Sequence, residues 1–266
     1  MNAPVTTRPP LVVTLGGGGA YALGYCIGIA DGLRSRGIDL SRSPLMGTSG
    51  GSHAAVAIAC GMSYDQVAAI WQPYVETCGS LWVKALPLAE LLYGAQVMPE
   101  GGSAGGVAVR LLGFKREVLW AADHPLPLIV AASSSPFPFV RPTKVGKRRF
   151  IDGGHKSNTS VDIAPDADLN LVLAPFAFKS QGIVGRMAAR KLAKEPGRWE
   201  ARTGGRSVVV KPDDAMIAVR IKSMKAMGDT TLGRRIYELA VPLGEHLADQ
   251  LRADHPDVVA RLTVTT

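Results

Sequence analysis

The chain has 266 residues, of which 47% are hydrophobic, and it carries a formal net charge of +8. This composition excludes a disordered or collagen-like chain and suffices for the core of one α/β domain. The first ten residues are polar, and no apolar run reaches the roughly 18 residues of a membrane helix. Three cysteines without a C-x-x-C pair indicate a reducing compartment. We therefore expect a flexible N-terminus over 1–10 and a single α/β domain over 11–266, in the cytoplasm or peripherally at a membrane.

Short apolar runs alternate with helical patterns from the first residues of the predicted domain. The elements predicted in the first third are a buried parallel strand over 11–15, a helix over 21–36, a brief strand over 44–46, a helix over 50–60 and a helix from 64 to about 77. Ser63 and Gln66 have the spacing of a capping box at the start of the last helix.

The same alternation continues through the rest of the chain. The predicted elements are one or two helices within 81–95, a mobile glycine-rich loop over 99–106, a strand over 126–133, a turn or short helix at 135–138, strands over 147–151 and 167–174, a basic helix over 181–194, strands over 206–210 and 216–221, and a helix over 230–253 that Pro242 kinks or splits. This order predicts a three-layer α/β/α fold with a mostly parallel central sheet.

The excess positive charge is concentrated in residues 179–211, which hold nine basic residues and two acidic ones. A basic face attracts anionic lipid head groups, at about 1 kcal/mol for each cation close to the membrane. The alternative is a solvated helix and loop. Nucleic acid is not expected as a partner, because the segment has a single aromatic residue, Trp199, and no recognisable nucleic-acid motif.

Three turns rich in glycine each follow a predicted strand. They are Gly16 to Gly19, the G-x-S-x-G turn of residues 47–51, and Asp152-Gly153-Gly154. In a G-x-S-x-G turn the serine lies on a strained strand-to-helix bend that exposes its hydroxyl. Bare N–H groups of an earlier glycine turn can stabilise the oxyanion that forms when a hydroxyl attacks an ester. Together the turns predict an acyl hydrolase with Ser49 as the nucleophile.

Other chemistries fit these residues less well. Tyr21 and Ala22 occupy positions where a dinucleotide fingerprint needs glycine, and no Walker lysine follows the first turn. No clustered cysteines and histidines suggest a metal site, so neither metal nor cofactor is expected. The base that activates Ser49 is either Asp152 or, in a Ser-His-Asp α/β-hydrolase, His246 or His255. The side chain of His53 is expected to point along its helix, away from the hydroxyl.

The motifs together resemble those of the patatin-like phospholipase family. The resemblance rests on Gly17-Gly18-Gly19, on residues 47–51, on Asp152-Gly153-Gly154 with Asn158, and on the Ser- and Pro-containing stretch 131–139. It extends over residues 11–175 and becomes loose beyond them.

This resemblance implies a Ser–Asp dyad that cleaves lipid or fatty esters without a cofactor, as a phospholipase A, lysophospholipase or esterase does. Ser49 is the implied nucleophile and Asp152 the implied general base. The implied oxyanion hole consists of the N–H groups of Gly17, Gly18 and Gly19. The turns are supported by Gly47, Gly50, Gly51, Gly153 and Gly154.

The sequence departs from the family pattern after the first glycine turn, and it also offers candidates for an acyl pocket. Tyr21 and Ala22 stand where the family often has a basic residue and a further glycine. That departure favours the alternative of a non-catalytic lipid- or membrane-binding module on the same fold. The candidates for the acyl pocket, which an ordinary core would explain equally, are Leu81, Trp82, Leu86, Leu88, Leu91 and Leu92.

Overall fold

The computed structural model describes residues 8–78, 84–176, 182–219 and 225–263. Within these ranges eight strands form one sheet, in the order β5-β6-β3-β2-β1-β7-β8, with β4 also paired to β3. The strands are β1 (Leu11–Leu15), β2 (Pro44–Thr48), β3 (Ser103–Arg110), β4 (Arg116–Trp120), β5 (Thr143–Val145), β6 (Arg148–Asp152), β7 (Leu169–Leu173) and β8 (Arg206–Val210). Strands β3, β2, β1, β7 and β8 are parallel, whereas β4, β5 and β6 run antiparallel to their neighbours.

Helices cover both faces of this sheet, and they are joined to the strands mainly by short turns. They are α1 (Gly19–Ser35), α2 (Gly50–Ala59), α3 (Tyr64–Cys78), α4 (Ala85–Tyr93), α5 (Leu126–Ser133), α6 (Gly182–Leu192), α7 (Glu195–Thr203), α8 (Asp214–Ala218), α9 (Thr230–Asp254) and α10 (Pro256–Thr263). None of the helices in the described ranges combines the length and the apolar character that a bilayer crossing requires.

The central strand β1 divides its side chains between two hydrophobic clusters. Leu11, Val13 and Leu15 pack with α1, α2, α4, α5 and α9, whereas Val12 packs on the opposite face with Leu192 of α6 and Trp199 of α7. Alternate residues of a strand point to opposite faces, so a strand that is apolar throughout is buried on both. The predicted three-layer fold with a mostly parallel sheet is therefore confirmed.

Several predicted boundaries are also confirmed. The strands at 11–15, 44–46, 147–151, 167–174 and 206–210 are present, each within about three residues of its predicted limits. The capping box is formed, since the N–H of Ser63 donates to the Gln66 side chain at 2.8 Å and the N–H of Gln66 to the Ser63 hydroxyl at 3.2 Å. Helix α9 contains Pro242 and is not split by it.

The strand predicted over 126–133 is wrong, because these residues form helix α5. Pro125 caps the helix and Pro127 lies in its first turn, where a missing N–H breaks no intrahelical hydrogen bond. Six of its eight residues are buried, so the apolar run has no amphipathic period by which sequence alone distinguishes a helix from a strand.

The mobile loop predicted over 99–106 is wrong for its second half, which begins the central strand β3. The glycines there serve close packing. A Cβ on Gly105 would lie 2.7 Å from the Trp120 ring, and one on Gly106 would lie 2.5 Å from the Ile129 carbonyl of α5. Glycine in a strand interior marks such close approaches as well as bends.

The strand predicted over 216–221 is also wrong, as far as the described residues extend. Asp213 caps helix α8 by accepting the N–H of Met216 at 2.9 Å, which stabilises a helical start there. Residues 220 and 221, residues 1–7 of the predicted flexible terminus, and the start of the basic helix at residue 181 lie outside the described residues. Strands β4 and β5 were not predicted.

Helices α1 and α9 pack along a seam of small residues. A Cβ on Gly24, Gly28 or Gly32 of α1 would collide with the backbone of α9, and one on Gly244 of α9 would collide with the backbone of α1. Because small residues lie on both helices, the two backbones come into direct contact. The seam fixes the position of α9 and of the short 3₁₀ turn Lys225–Gly228 that precedes it.

Candidate active site

Ser49 lies between the end of β2 and the start of α2 in a strained backbone conformation. Its φ of 52° and ψ of −123° are rare for a residue with a side chain. The Ser49 carbonyl accepts the Ser52 hydroxyl at 2.7 Å and the Ser52 N–H at 2.8 Å, which closes the first turn of α2. The bend holds the Ser49 hydroxyl at the carboxyl edge of the sheet, as the G-x-S-x-G pattern predicts.

A second serine, Ser133, stabilises this bend through hydrogen bonds. The N–H of Ser49 donates to the Ser133 hydroxyl at 3.0 Å, and that hydroxyl donates to the Val107 carbonyl of β3 at 2.7 Å. Ser133 is fully buried at the end of α5. The sequence did not predict a role for Ser133. The available signal is its place at the end of an apolar run, because a polar side chain that is buried there needs a hydrogen-bond partner.

The backbone around Ser49 leaves no room for side chains at its glycines. A Cβ on Gly47 would collide with the Gly51 carbonyl, and a Cβ on Gly50 would lie 2.8 Å from the Gly19 nitrogen. The first and second glycine turns are thus in direct contact. Such contact brings the N–H groups of one turn next to the hydroxyl of the other.

The Gly47→Ala substitution is expected to lower the free energy of unfolding by about 3 kcal/mol, at the upper end of overpacking effects. The matched control is Gly197→Ala in α7, where a Cβ would meet nothing within 4 Å. That control is expected to stabilise the protein by roughly 0.5–1 kcal/mol, because alanine favours a helix over glycine. Urea unfolding of both variants measures the difference. Equal stability of the two would contradict the close packing of the turn.

Asp152 lies at the end of β6 and is only 6% exposed. Its carboxylate accepts the Gly154 N–H at 2.7 Å. It lines the same cavity as Ser49, whose hydroxyl acts on the carboxylate as a hydrogen-bond donor that lowers its pKa. Burial raises the pKa of Asp152 above the ordinary aspartate value of 3.8, and the hydrogen bonds from Ser49 and Gly154 and the nearby His155 oppose that rise. A carboxylate with a raised pKa is a stronger base than an exposed one.

The first glycine turn presents two N–H groups rather than the expected three. The N–H of Gly17 donates to the Asn158 carbonyl at 2.9 Å, and the Asn158 amide donates back to the Gly17 carbonyl at 3.0 Å. These two hydrogen bonds join the first glycine turn to the loop that follows the third turn. The N–H groups of Gly18 and Gly19 donate to no atom of the described residues. Gly50, the first residue of α2, presents another such N–H beside them.

Ser49 and Asp152 open into one apolar cavity of about 170 Å³. The lining residues come from the sheet edge, from α2, α3 and α4, from the 134–140 turn and from the 3₁₀ turn before α9. They are Gly19, Ser49, Gly50, His53, Trp71, Val75, Ala85, Leu88, Ser134, Pro136, Phe139, Val140, Asp152, Met227 and Gly228. An apolar cavity with few polar groups suits the hydrocarbon part of a substrate.

His53 lines the cavity but is unsuited to act as a base. Its Nδ1 lies 3.2 Å from the Tyr93 hydroxyl, and its ring packs 4.6 Å from the Trp71 ring. Burial lowers the pKa of His53 to about 3, so the imidazole is neutral and weakly basic.

The other two histidines considered as bases do not line the cavity. His246 lies on α9 with its Nε2 3.1 Å from the Gln250 amide, and His255 follows the end of the same helix. Among the described residues, Asp152 is the titratable group in contact with the Ser49 hydroxyl.

Tyr21, at the position of the family's basic residue, is fully buried, and its hydroxyl donates to the Met216 carbonyl at 3.1 Å. It does not line the cavity. Of the candidates for the acyl pocket, Leu88 lines the cavity, Leu92 is in the core and Leu91 is 60% exposed. Leu81 and Trp82 lie outside the described residues. Within the described ranges, no group of three or more side chains could hold a metal ion.

The basic segment 179–211 is distributed over α6, α7 and β8, and Lys179 lies outside the described residues. Part of its charge is compensated, since Arg202 pairs with Asp166 at 2.7 Å and Arg206 with Asp257 at 3.7 Å. Arg186 and Arg190 are exposed on α6, on the sheet face opposite α1 and α2.

Comparison with known proteins finds no matching family model and no match among curated proteins. Among solved structures, the chain is similar to the crystal structure of VipD from Legionella pneumophila, with a TM-score of 0.42 and 13% sequence identity. The match covers 89% of this chain and 67% of that one.

Proposed function

We propose that the protein is a serine-dependent lipid acyl hydrolase that uses a Ser49–Asp152 dyad. The observation that carries the proposal is that the strained Ser49 and the buried Asp152 carboxylate line the same cavity, with the Ser49 hydroxyl acting as a hydrogen-bond donor that favours the charged carboxylate. A nucleophile in contact with its base, on a rigid turn at the edge of an apolar cavity, is the arrangement that covalent ester hydrolysis requires. The sequence motifs of the patatin-like phospholipases agree with the same pair of residues.

In the acylation step, Asp152 accepts the proton of Ser49 while its oxygen attacks the ester carbonyl carbon. The carbonyl oxygen becomes negatively charged and faces the N–H groups of Gly18, Gly19 and Gly50. Each aligned donor contributes roughly 3–4 kcal/mol to the stabilisation of the transition state. The tetrahedral intermediate then collapses, Asp152 returns the proton to the departing alcohol, and the acyl group stays on Ser49.

In the deacylation step, Asp152 removes a proton from water, which attacks the acyl carbon. The fatty acid leaves and Ser49 regains its proton. The apolar walls formed by Trp71, Val75 and Leu88 hold the acyl chain during both steps. The cavity favours a hydrocarbon acyl group on one side of the ester, with the alcohol or head group towards the opening.

The pH dependence of covalent labelling at Ser49 tests both roles together. We expect an alkyl fluorophosphonate to label Ser49, with a rate that rises with pH as Asp152 loses its proton. Because burial raises the pKa of Asp152, the midpoint of that rise is expected above the ordinary value of 3.8. Labelling is measured by intact mass and peptide mapping. A protein that is not labelled at Ser49 at any pH would support the non-catalytic alternative and reject the proposal.

A further inference from the structure

Exposed apolar and basic side chains are clustered beyond the carboxyl edge of the sheet, where Ser49 lies. The apolar members are Leu112, which is 83% exposed, Phe137, which is 45% exposed, and Phe139, which is 57% exposed. The basic members are all exposed, and together with the apolar ones they define the mouth surface. They are Lys84, Arg141, Lys144, Lys147 and Arg149.

The sheet register places this surface beside the catalytic pair. Thr48, next to Ser49, pairs with Val107 of β3, and Asp152 pairs with the following residue, Ala108. Strand β3 and the β5–β6 hairpin continue past that level, so the hairpin projects beyond the edge that carries Ser49.

A groove along the mouth surface lies beside the catalytic cavity. It has a volume of about 730 Å³ and includes Lys84, Arg141 and Lys144. Phe139 and Val140 line both the groove and the cavity, so the groove and the cavity share a wall. A molecule bound in the groove therefore lies next to the cavity that contains Ser49.

The charges of the mouth surface are not balanced within the protein. Lys144 and Arg149 lie directly opposite each other on β5 and β6, and like charges in that position are destabilising. None of the five cations forms an ion pair with a described residue. By contrast, Arg110 and Arg148 in the same region both pair with Glu117, at 3.5 Å and 3.2 Å. The hairpin thus retains positive charge that an external anion would neutralise.

We propose that the mouth surface docks on an anionic lipid bilayer. Cations close to a charged membrane attract its head groups, and exposed leucine and phenylalanine side chains insert at the boundary between head groups and acyl chains. A nucleic acid or an acidic protein would neutralise the cations without requiring the three exposed apolar side chains. The inference rests on the proposed function, since docking here brings the cavity opening to the lipids that carry the ester.

Vesicle binding by a catalytically silent protein tests the docking separately from hydrolysis. The Ser49→Ala protein is mixed with vesicles of phosphatidylcholine containing 30% phosphatidylserine, or of phosphatidylcholine alone, and bound protein is measured by sedimentation. In this background, Lys144→Glu/Lys147→Glu/Arg149→Glu is expected to weaken binding to the anionic vesicles by about 100-fold or more. The matched control reverses three exposed charges outside the mouth surface: Arg186→Glu/Arg190→Glu/Lys194→Glu. It is expected to bind within about threefold of its parent.

The outcomes distinguish docking from the proposed chemistry. Binding that weakens with salt, prefers anionic vesicles and is lost only in the mouth variant supports the proposal. Equal binding to neutral vesicles, or a loss in the control as large as in the mouth variant, overturns it. Leu112→Ser is a second variant that leaves the hairpin charges intact, and unchanged binding there would also count against insertion. With Ser49 restored, the mouth variant should hydrolyse a soluble p-nitrophenyl ester at the parental rate. Failure of that reaction in the unsubstituted protein rejects the proposed function but leaves the docking result standing.

Discussion

The Ser49→Ala substitution is expected to abolish ester hydrolysis, with kcat/KM falling by about 10⁴-fold or more. Removal of an activated nucleophile leaves only the residual rate that binding and the oxyanion donors provide. The alanine keeps the Cβ, so the strained bend and the hydrogen bond from its backbone N–H to the Ser133 hydroxyl are retained. The loss is therefore expected in the chemistry and not in the fold.

The measurement uses p-nitrophenyl esters of increasing acyl length, lysophospholipids and phospholipids. Ser134→Ala is the matched control, because Ser134 lines the same cavity and contacts Ser52 at 3.4 Å. We expect that control to keep its rate within about fivefold. If instead Ser134→Ala were inactive and Ser49→Ala active, the assignment of the nucleophile would be wrong.

The Asp152→Asn substitution is expected to lower kcat by roughly 10²–10⁴-fold, the usual contribution of a general base. An asparagine can still accept the Gly154 N–H but cannot take the Ser49 proton. The readout is the rate of p-nitrophenyl ester hydrolysis across the pH range, in which the rise assigned to Asp152 should disappear.

A thermal melt separates this loss from unfolding. Because the pKa of Asp152 is raised by burial, the folded protein holds the proton more tightly than the unfolded chain does. The free energy of unfolding therefore falls as pH rises from 3.8 through the pKa of the folded state, and the penalty of the buried charge is present at neutral pH. Asparagine carries no charge, so the Tm of the variant at pH 7 is expected to equal or exceed that of the parent.

Histidine variants test the remaining base. His246→Ala and His255→Ala are expected to keep the parental rate within about twofold, because neither histidine lines the cavity. A rate lost in either variant and retained in Asp152→Asn would establish a histidine-dependent triad instead.

The elements that could be predicted from sequence are those whose signals are local. Strand β1 is apolar at four of its five positions because two layers cover it, and Gly47 is needed for a close contact with Gly51, four residues further on. These patterns sufficed to predict strands β1, β2, β7 and β8 of the parallel part of the sheet and the turn that carries Ser49.

The elements that could not be predicted depend on partners distant in sequence. Helix α5 is buried by α4 and β3, and the glycines of β3 are required by Trp120 and Ile129. The carbonyl of Asn158, 141 residues after Gly17, occupies the N–H of that glycine. No local rule shows that one of three consecutive glycines is already bonded, so the number of N–H groups left free in this turn, within the described residues, required the structure.

Under the proposed function, the glycine seam between α1 and α9 has a consequence for selectivity among acyl chains. The turn before α9 contributes Met227 and Gly228 to the cavity wall, and a Cβ on Gly19 would collide with the Met227 carbonyl. The width of the cavity is therefore set by the distance between α1 and α9, at positions that do not contact a substrate in the cavity. Enlarging a residue such as Gly28 would displace that wall, so chain-length preference can be tuned from positions remote from the ester.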